Sequence, residues 1–268
     1  MLSVSALLLL SLPPQVAAAP SVTPSLMTSP ARPLVARAPQ PVKLVAKDKV
    51  ELSATYFPPK EMDAKNTAVL LVHDAGSDSS SVKALAEAWN KRGAAVLSLD
   101  LRGHGASKAE RVDWDAASEK EREVLWAMAK RDLEAAEEYL RDRREVHSSR
   151  IVVAGRGAGA GLAVRYGYDG TGIAGVCLVD PPIDDEKTWG IDLQKGLADL
   201  EGMPTLILCS RATRKACSAL AEAAHEANDG YEYVELGVLR SEREALLEDK
   251  RLSSTLTSWT RGKVEGED

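Results

Sequence analysis

The chain is short of the residues that most enzyme chemistries draw on. Four His and three Cys occur in 268 residues. The Cys, at 177, 209 and 217, form no CxxC and no zinc spacing, and the His form no HExxH pattern. No metal and no other cofactor is therefore expected. No apolar run reaches the roughly 18 residues that a spanning helix needs, so no integral membrane span is expected. A basic surplus is missing as well: 34 Lys and Arg stand against 40 Asp and Glu, a net charge of -6. Nucleic acid binds through its phosphates and needs a basic surface, so it is not an expected partner. What remains is 44% hydrophobic and 28% charged, which excludes a wholly disordered chain and suits one sizeable domain or two small ones.

The first forty residues read as address and tether. Residues 1–19 hold an apolar stretch from Leu7 to Leu12, then Pro13 and Pro14, then Val16-Ala17-Ala18-Ala19. This is the shape of a secretory signal peptide with cleavage after Ala18 or Ala19, although no Lys or Arg precedes the apolar stretch. Export to the periplasm or outside the cell is the expectation. Residues 20–41 carry Pro20, Pro24, Pro30, Pro33, Pro39 and Pro41 among Ser, Thr and Ala, a composition that stays extended and cannot bury a core. Cys177 and Cys209 sit in apolar strand patterns and are expected to be buried thiols.

From Val42 to about residue 264 the pattern is regular. Val42–Ala46 and Val50–Phe57 flank Lys47-Asp48-Lys49 as a leading β-hairpin. Short apolar runs follow at 68–72, 94–99, 151–154, 176–179 and 205–209, with a last strand at Tyr231–Leu236. Between them, three- and four-residue spacing predicts helices, among them 80–92, one long helix over 118–145 on Leu125, Ala129, Leu133, Ala136 and Leu140, and another at 214–228. Strands alternating with helices imply an α/β class with a mostly parallel sheet. Ligands on such sheets bind outside the carboxyl ends of the strands, so the residues after each strand carry the functional information.

Three such segments form a pattern. His73-Asp74-Ala75-Gly76 follows the first parallel strand, Asp100-Leu101-Arg102-Gly103-His104-Gly105 the second, and Gly155-Arg156-Gly157-Ala158-Gly159-Ala160-Gly161 the third. In this order the chain resembles the α/β-hydrolase superfamily of serine esterases, lipases and peptidases, over about residues 42–262. The resemblance implies a nucleophile elbow, G-x-S-x-G, after the third parallel strand. Here its centre is Gly157, which has no side chain, and no Ser, Cys, Thr or Asp occurs between Gly155 and Val164. The family's acid would match Thr213, and its His would match Arg240 or the neighbouring Leu239; no His occurs from 226 to the C-terminus. Triad members act as a unit, so three vacant positions are the mark of a non-catalytic member that binds a small molecule or a protein. The alternative is an active ester or peptide hydrolase whose site is misread or relocated.

The resemblance also implies an oxyanion hole, built from the N–H of Ala158 and one from the Asp74-Ala75-Gly76 turn. His73 and His104 are implied as structural, while His147 and His225 are expected outside the site. Asp74, Arg156, Asp180 and Arg211 should gather at the strand ends, with Arg156 and Arg211 pairing Asp180 or Asp74, because single buried ions are costly. Ser77, Ser79, Ser80 and Ser81 are expected to cap the helix that follows them. Only residues 181–202 replace a lid, so a large cap domain is absent from the expectation; Trp189 would close the cleft or pack in the core.

Overall fold

A computed structural model describes residues 38–62, 66–169, 172–183, 188–200, 202–227, 233–243 and 245–266. The leader and nearly all of the Pro-rich tether lie outside the described residues.

The leading hairpin is β1 (Gln40–Val45) and β2 (Glu51–Phe57), antiparallel, with Leu44 opposite Leu52. The expected apolar runs then become β3 (Asn66–Val72), β4 (Ala95–Asp100), β5 (Val146–Arg156), β6 (Ile173–Val179) and β7 (Thr205–Cys209), closed by β8 (Val234–Val238). One sheet holds all eight in the order β1-β2-β4-β3-β5-β6-β7-β8, parallel from β4 to β8. The central strands are buried on both faces, which is why they read as continuous Val, Leu and Ile rather than as alternation.

The pleat sorts these runs into two cores. Ala68, Leu70 and Val72 of β3 face one layer, and Val69 and Leu71 face the other. The first layer is covered by α2 (Glu119–Met128), α3 (Lys130–Arg141), α4 (Ala158–Asp169), α5 (Leu193–Ala198) and α6 (Arg214–Ala227) through Trp126, Leu133, Leu140, Leu162, Leu197 and Cys217. The second is covered by α1 (Lys83–Asn90) and α7 (Leu252–Trp259) through Leu85, Trp89, Leu252, Leu256 and Trp259. This is the α/β-hydrolase fold, with helices on both faces of a mostly parallel sheet.

Three elements differ from the sequence expectation. The long helix over 118–145 is two helices, because at Ala129 the backbone tightens and its N–H bonds Trp126 O, three residues back. Each half is anchored separately: Trp126 packs on Trp114, and Asp132 is tied to Arg102. The capping group before the helix at 80–92 is Asp78 rather than a serine. Its Oδ1 accepts from Ser80 N at 2.9 Å, and a short 3-10 turn at Ser79–Val82 leads into α1. The last strand is displaced toward the C-terminus, to Val234–Val238; Tyr231 and Glu232 lie outside the described residues.

The Asp100–Gly105 segment is tied down by its own side chains. Arg102, 2% exposed, donates from Nε and Nη2 to Asp132 Oδ1 at 2.9 and 2.6 Å, and from Nη1 to Asp48 at 2.8 Å. Asp132 also accepts from the Arg102 backbone N–H. Asp48 is the turn residue of the leading hairpin, and Arg102 holds it well below the ordinary carboxylate range, at about 2. One guanidinium therefore joins the hairpin, the end of β4 and α3. Removing Asp132 leaves the buried guanidinium with Asp48 as its ionic partner but strips its bonds to α3, so Asp132→Ala should cost about 2–3 kcal/mol in urea unfolding. A loss below about 1 kcal/mol would show that the pair contributes little.

Candidate functional site

The site position lies at the carboxyl ends of β3, β5, β6, β7 and β8. Gly157 is the sharp turn between β5 and α4, at φ +55°, where side chains are rarely tolerated. Its flanking glycines serve close backbone approach: a Cβ on Gly155 would stand 2.0 Å from Gly159 O, and one on Gly159 2.4 Å from His73 O. The elbow's backbone geometry is thus present around a residue with no side chain.

The space above Gly157 is filled by Asp74. A Cβ on Gly157 would lie 2.3 Å from Asp74 Cγ and 2.4–2.5 Å from both carboxylate oxygens. Asp74 Oδ1 accepts from Ala158 N at 2.8 Å and from Ala75 N at 2.8 Å. Ala158 N is one donor that the family resemblance implies for an oxyanion hole, and Ala75 N lies in the turn from which it draws the other; one oxygen of the chain's own carboxylate takes both. Backbone donors aimed at one point suit an anion, whether it comes from a substrate or from the protein.

Both imidazoles beside this carboxylate are occupied on both nitrogens. His73 Nε2 accepts from Leu101 N at 3.1 Å, which leaves Nδ1–H to donate to Asp74 O at 2.7 Å. His104 Nε2 accepts from Gly76 N at 3.2 Å, and its Nδ1–H donates to Arg102 O at 3.0 Å. Burial disfavours the charged ring in each, so His73 is shifted downward and His104 lies at about 4. The rings lie 4.9 Å apart, tilted to each other, and continue through Trp114 and Trp126 as one aromatic cluster. Trp189, half-exposed, adds its ring edge to Trp114 at 4.7 Å. Sequence spacing gave no sign of this three-tryptophan cluster. The other two histidines stand elsewhere: His147 pairs with Ser149 in the first half of β5, and His225 on α6 meets Tyr233 edge to face.

The residues that the resemblance matches to the acid and the His hold structural groups. Thr213, 4% exposed, accepts from Ser210 N while Thr213 N donates to Ser210 Oγ, so the pair holds the turn that leads into α6. Leu239 is buried, its N–H on Cys209 O. Arg240 is exposed, and its N–H donates to Asp249 Oδ2 at 2.7 Å. Asp249, a residue the sequence reading missed, organises this whole loop. Burial opposes its ionisation, but N–H groups of Arg251, Ser241 and Arg240 outweigh that and hold it at about 2.

The expected pairing of arginines with Asp180 and Asp74 is not what forms. Asp180 follows β6 in the left-handed region, at φ +49°, and Arg243 Nε donates to its Oδ1 at 2.7 Å. Arg156 instead donates from Nη1 to Ser81 O, and Arg211 is exposed. Arg243 lies in the long loop after β8. Which arginine of a loop folds back over a strand end depends on the loop's path, and local spacing does not encode it.

A family described as serine aminopeptidase, S33, matches residues 63–227. Among solved structures, the chain is similar to the esterase Pf2001 of Pyrococcus furiosus at 19% identity and TM-score 0.64, over 85% of this chain and 91% of that one. It is similar to the α/β hydrolase GrgF from a Penicillium species at 12% identity and TM-score 0.64, over 85% and 100% of the two chains. An α/β hydrolase from Vibrio vulnificus aligns at 20% identity and TM-score 0.59, over 82% and 81%. No curated protein sequence is a match. At these identities the structural likeness speaks for the fold.

Two outcomes follow from the site's packing. Gly157→Ser should destabilise by about 1–3 kcal/mol, because its Cβ meets the Asp74 carboxylate at positive φ. Asp74→Gly in the same chain should recover part of that loss; a Gly157→Ser protein as stable as the parent would contradict the packing. The second concerns pH. A His with a folded pKa below its unfolded value stabilises the neutral range, and that stability is lost as pH falls below about 6.5. From pH 7 to 4 the shift at His104 alone corresponds to roughly 3 kcal/mol. Urea unfolding across this range should show a shallower pH slope in His104→Gln; an unchanged slope would sink the assignment.

Proposed function

The chain belongs to the serine aminopeptidase S33 family, and we propose that it is a non-catalytic member of it, exported from the cell, that binds a small molecule or a protein. One observation carries this reading: Asp74 Oδ1 takes the backbone N–H groups of Ala158 and Ala75 directly above Gly157. Acyl transfer needs an oxygen or sulfur nucleophile at the elbow, a base within hydrogen-bond reach, and donors open to the developing oxyanion. Gly157 supplies no nucleophile, and His73 and His104 have both nitrogens engaged. The donors already hold a negative charge.

A ligand at the strand ends would meet the Asp74 carboxylate and Trp189 rather than a nucleophile. The Asp180–Arg243 pair and Thr213 support that reading as neutralised or turn-holding groups. The alternative, an ester or peptide hydrolase with a relocated or misread site, draws weak support from the serine aminopeptidase family match and from the likeness of its fold to an esterase.

The discriminating experiment is covalent labelling. A fluorophosphonate probe should label no residue, and p-nitrophenyl ester turnover should stay at the buffer rate. Gly157→Ser should not change either result, alone or with Asp74→Gly, because the imidazoles beside the elbow, His73 and His104, have no nitrogen left to take the proton. A serine that labels, and whose mutation to Ala abolishes labelling, would establish the alternative. Export is tested separately, by fractionation and N-terminal sequencing of the mature chain. The expected mature start is Ala19 or Pro20, and an intact Met1 in the cytoplasm would refute it.

A further inference from the structure

We propose that a cleft at the amino ends of the parallel strands, at the opposite end of the sheet from Gly157, is a binding site for a small polyanion with clustered phosphates. This inference is independent of how the elbow is read.

The cleft encloses about 530 Å³, the size of an ordinary small-molecule site. It forms where several segments return to the start of the sheet. Thr67 is the second residue of β3, and Arg150 stands beside it in β5, one place before the Ala68–Ile151 register pair. Lys60 comes from the loop after β2, Lys91 and Arg92 from the turn that ends α1, and Arg261 from the turn Thr260–Glu265 that follows α7. Four segments thus bring five cations to one cleft. At about 3.3 Å per residue, β3 places roughly 20 Å between this cleft and Asp74.

The charge balance points to a ligand. The whole chain carries a net charge of -6, yet here five cations face two carboxylates, Glu61 and Glu265. Elsewhere cations are neutralised: Arg102 by Asp132, Arg131 by Asp48, Lys130 by Asp169 and Lys263 by Glu235. Among the described residues, none of the five lies within ion-pair distance of a carboxylate. Glu265 is engaged elsewhere. Its Oε1 accepts from the hydroxyl of buried Thr67, and its backbone carbonyl accepts from Arg150 Nη2 at 3.3 Å. The chain thus seats one carboxylate oxygen on the floor and leaves the exposed Lys60, Lys91, Arg92 and Arg261 around it without a counter-ion. The floor itself is fixed, since buried Trp89 donates from Nε1 to Thr260 Oγ1 at 3.3 Å.

Arginine forks grip two phosphate oxygens at a time, and lysines add point charge. Three arginines and two lysines around one cleft suit linked phosphates better than a single one. The acidic remainder of the chain would repel a long polyanion, which favours a compact ligand over nucleic acid. Clustered phosphates occur in soluble metabolites and in lipid headgroups, and the test separates the two.

The full chain is titrated calorimetrically with tripolyphosphate, pyrophosphate and orthophosphate. Tripolyphosphate should bind one per chain, at least roughly tenfold tighter than orthophosphate, and should weaken about tenfold as NaCl rises from about 50 to about 300 mM. Lys60→Glu/Arg261→Glu should abolish measurable binding and shift the melting midpoint by less than about 2 °C, because neither exposed side chain is bonded to a described residue. Lys195→Glu/Lys215→Glu makes the same charge change on α5 and α6 and should keep the parent affinity within about threefold. No binding by the parent, or an equal loss in both variants, would overturn the site. So would tighter binding to a single-stranded oligonucleotide than to tripolyphosphate. Flotation with phosphatidylcholine vesicles carrying a phosphoinositide then assigns the source. Vesicle binding that tripolyphosphate displaces supports a headgroup in the cleft, and tripolyphosphate binding with no vesicle binding supports a soluble ligand.

Discussion

The buried guanidinium of Arg102 is the group on which the strand ends depend. It reaches Asp132 on α3 and Asp48 in the leading hairpin, and its own backbone carbonyl fixes His104. His104 in turn accepts from Gly76, and the neighbouring His73 accepts from Leu101, so the loops after β3 and β4 are locked to each other. Asp100 completes the lock by accepting from Ser79 N and Ala106 N. The Asp100–Gly105 segment is thus explained wholly by scaffold work. It can persist in a chain whatever happens to the reaction, because its partners are backbone groups and buried ions.

This explains what could be read from the sequence. The parallel strands were legible because two-sided burial leaves only apolar residues between turns. The elbow was legible because Gly155 and Gly159 touch backbone, where no other residue fits. These are constraints on residue type at a single position, and single positions show in a sequence. The break at Ala129, the cap by Asp78 and the Asp180–Arg243 pair were not legible. Each is decided by a partner far along the chain or by competition between near-equivalent candidates. Four serines and one aspartate all suit a cap, and only the path of the loop chooses Asp78. Likewise, three arginines were available to Asp180, and the loop after β8 delivers Arg243.

The same distinction bears on Asp74. From the sequence, it is one more polar residue after a strand, and pairing with an arginine is the obvious fate for it. Its actual partners are two N–H groups, one of them in its own peptide neighbour and one across the elbow at Ala158. An arrangement of donors converging on a point is a property of backbone conformation. It leaves no trace in side-chain spacing.

That convergence also makes the residue at 157 intelligible. An oxyanion hole without a substrate leaves buried donors looking for an acceptor, and an unmet buried donor costs about 1–3 kcal/mol. In an acyl-transfer enzyme, water can meet that need between turnovers, and the nucleophile keeps other groups out. Once position 157 is glycine, the volume of the nucleophile is free, and a carboxylate from the neighbouring loop can meet both donors permanently. The reverse also holds: with Asp74 seated there, any side chain at 157 would collide with it at 2.3 Å. Glycine at the elbow and carboxylate in the hole are therefore a coupled pair. A side chain at 157 requires Asp74 to move, so changing Gly157 alone yields strain.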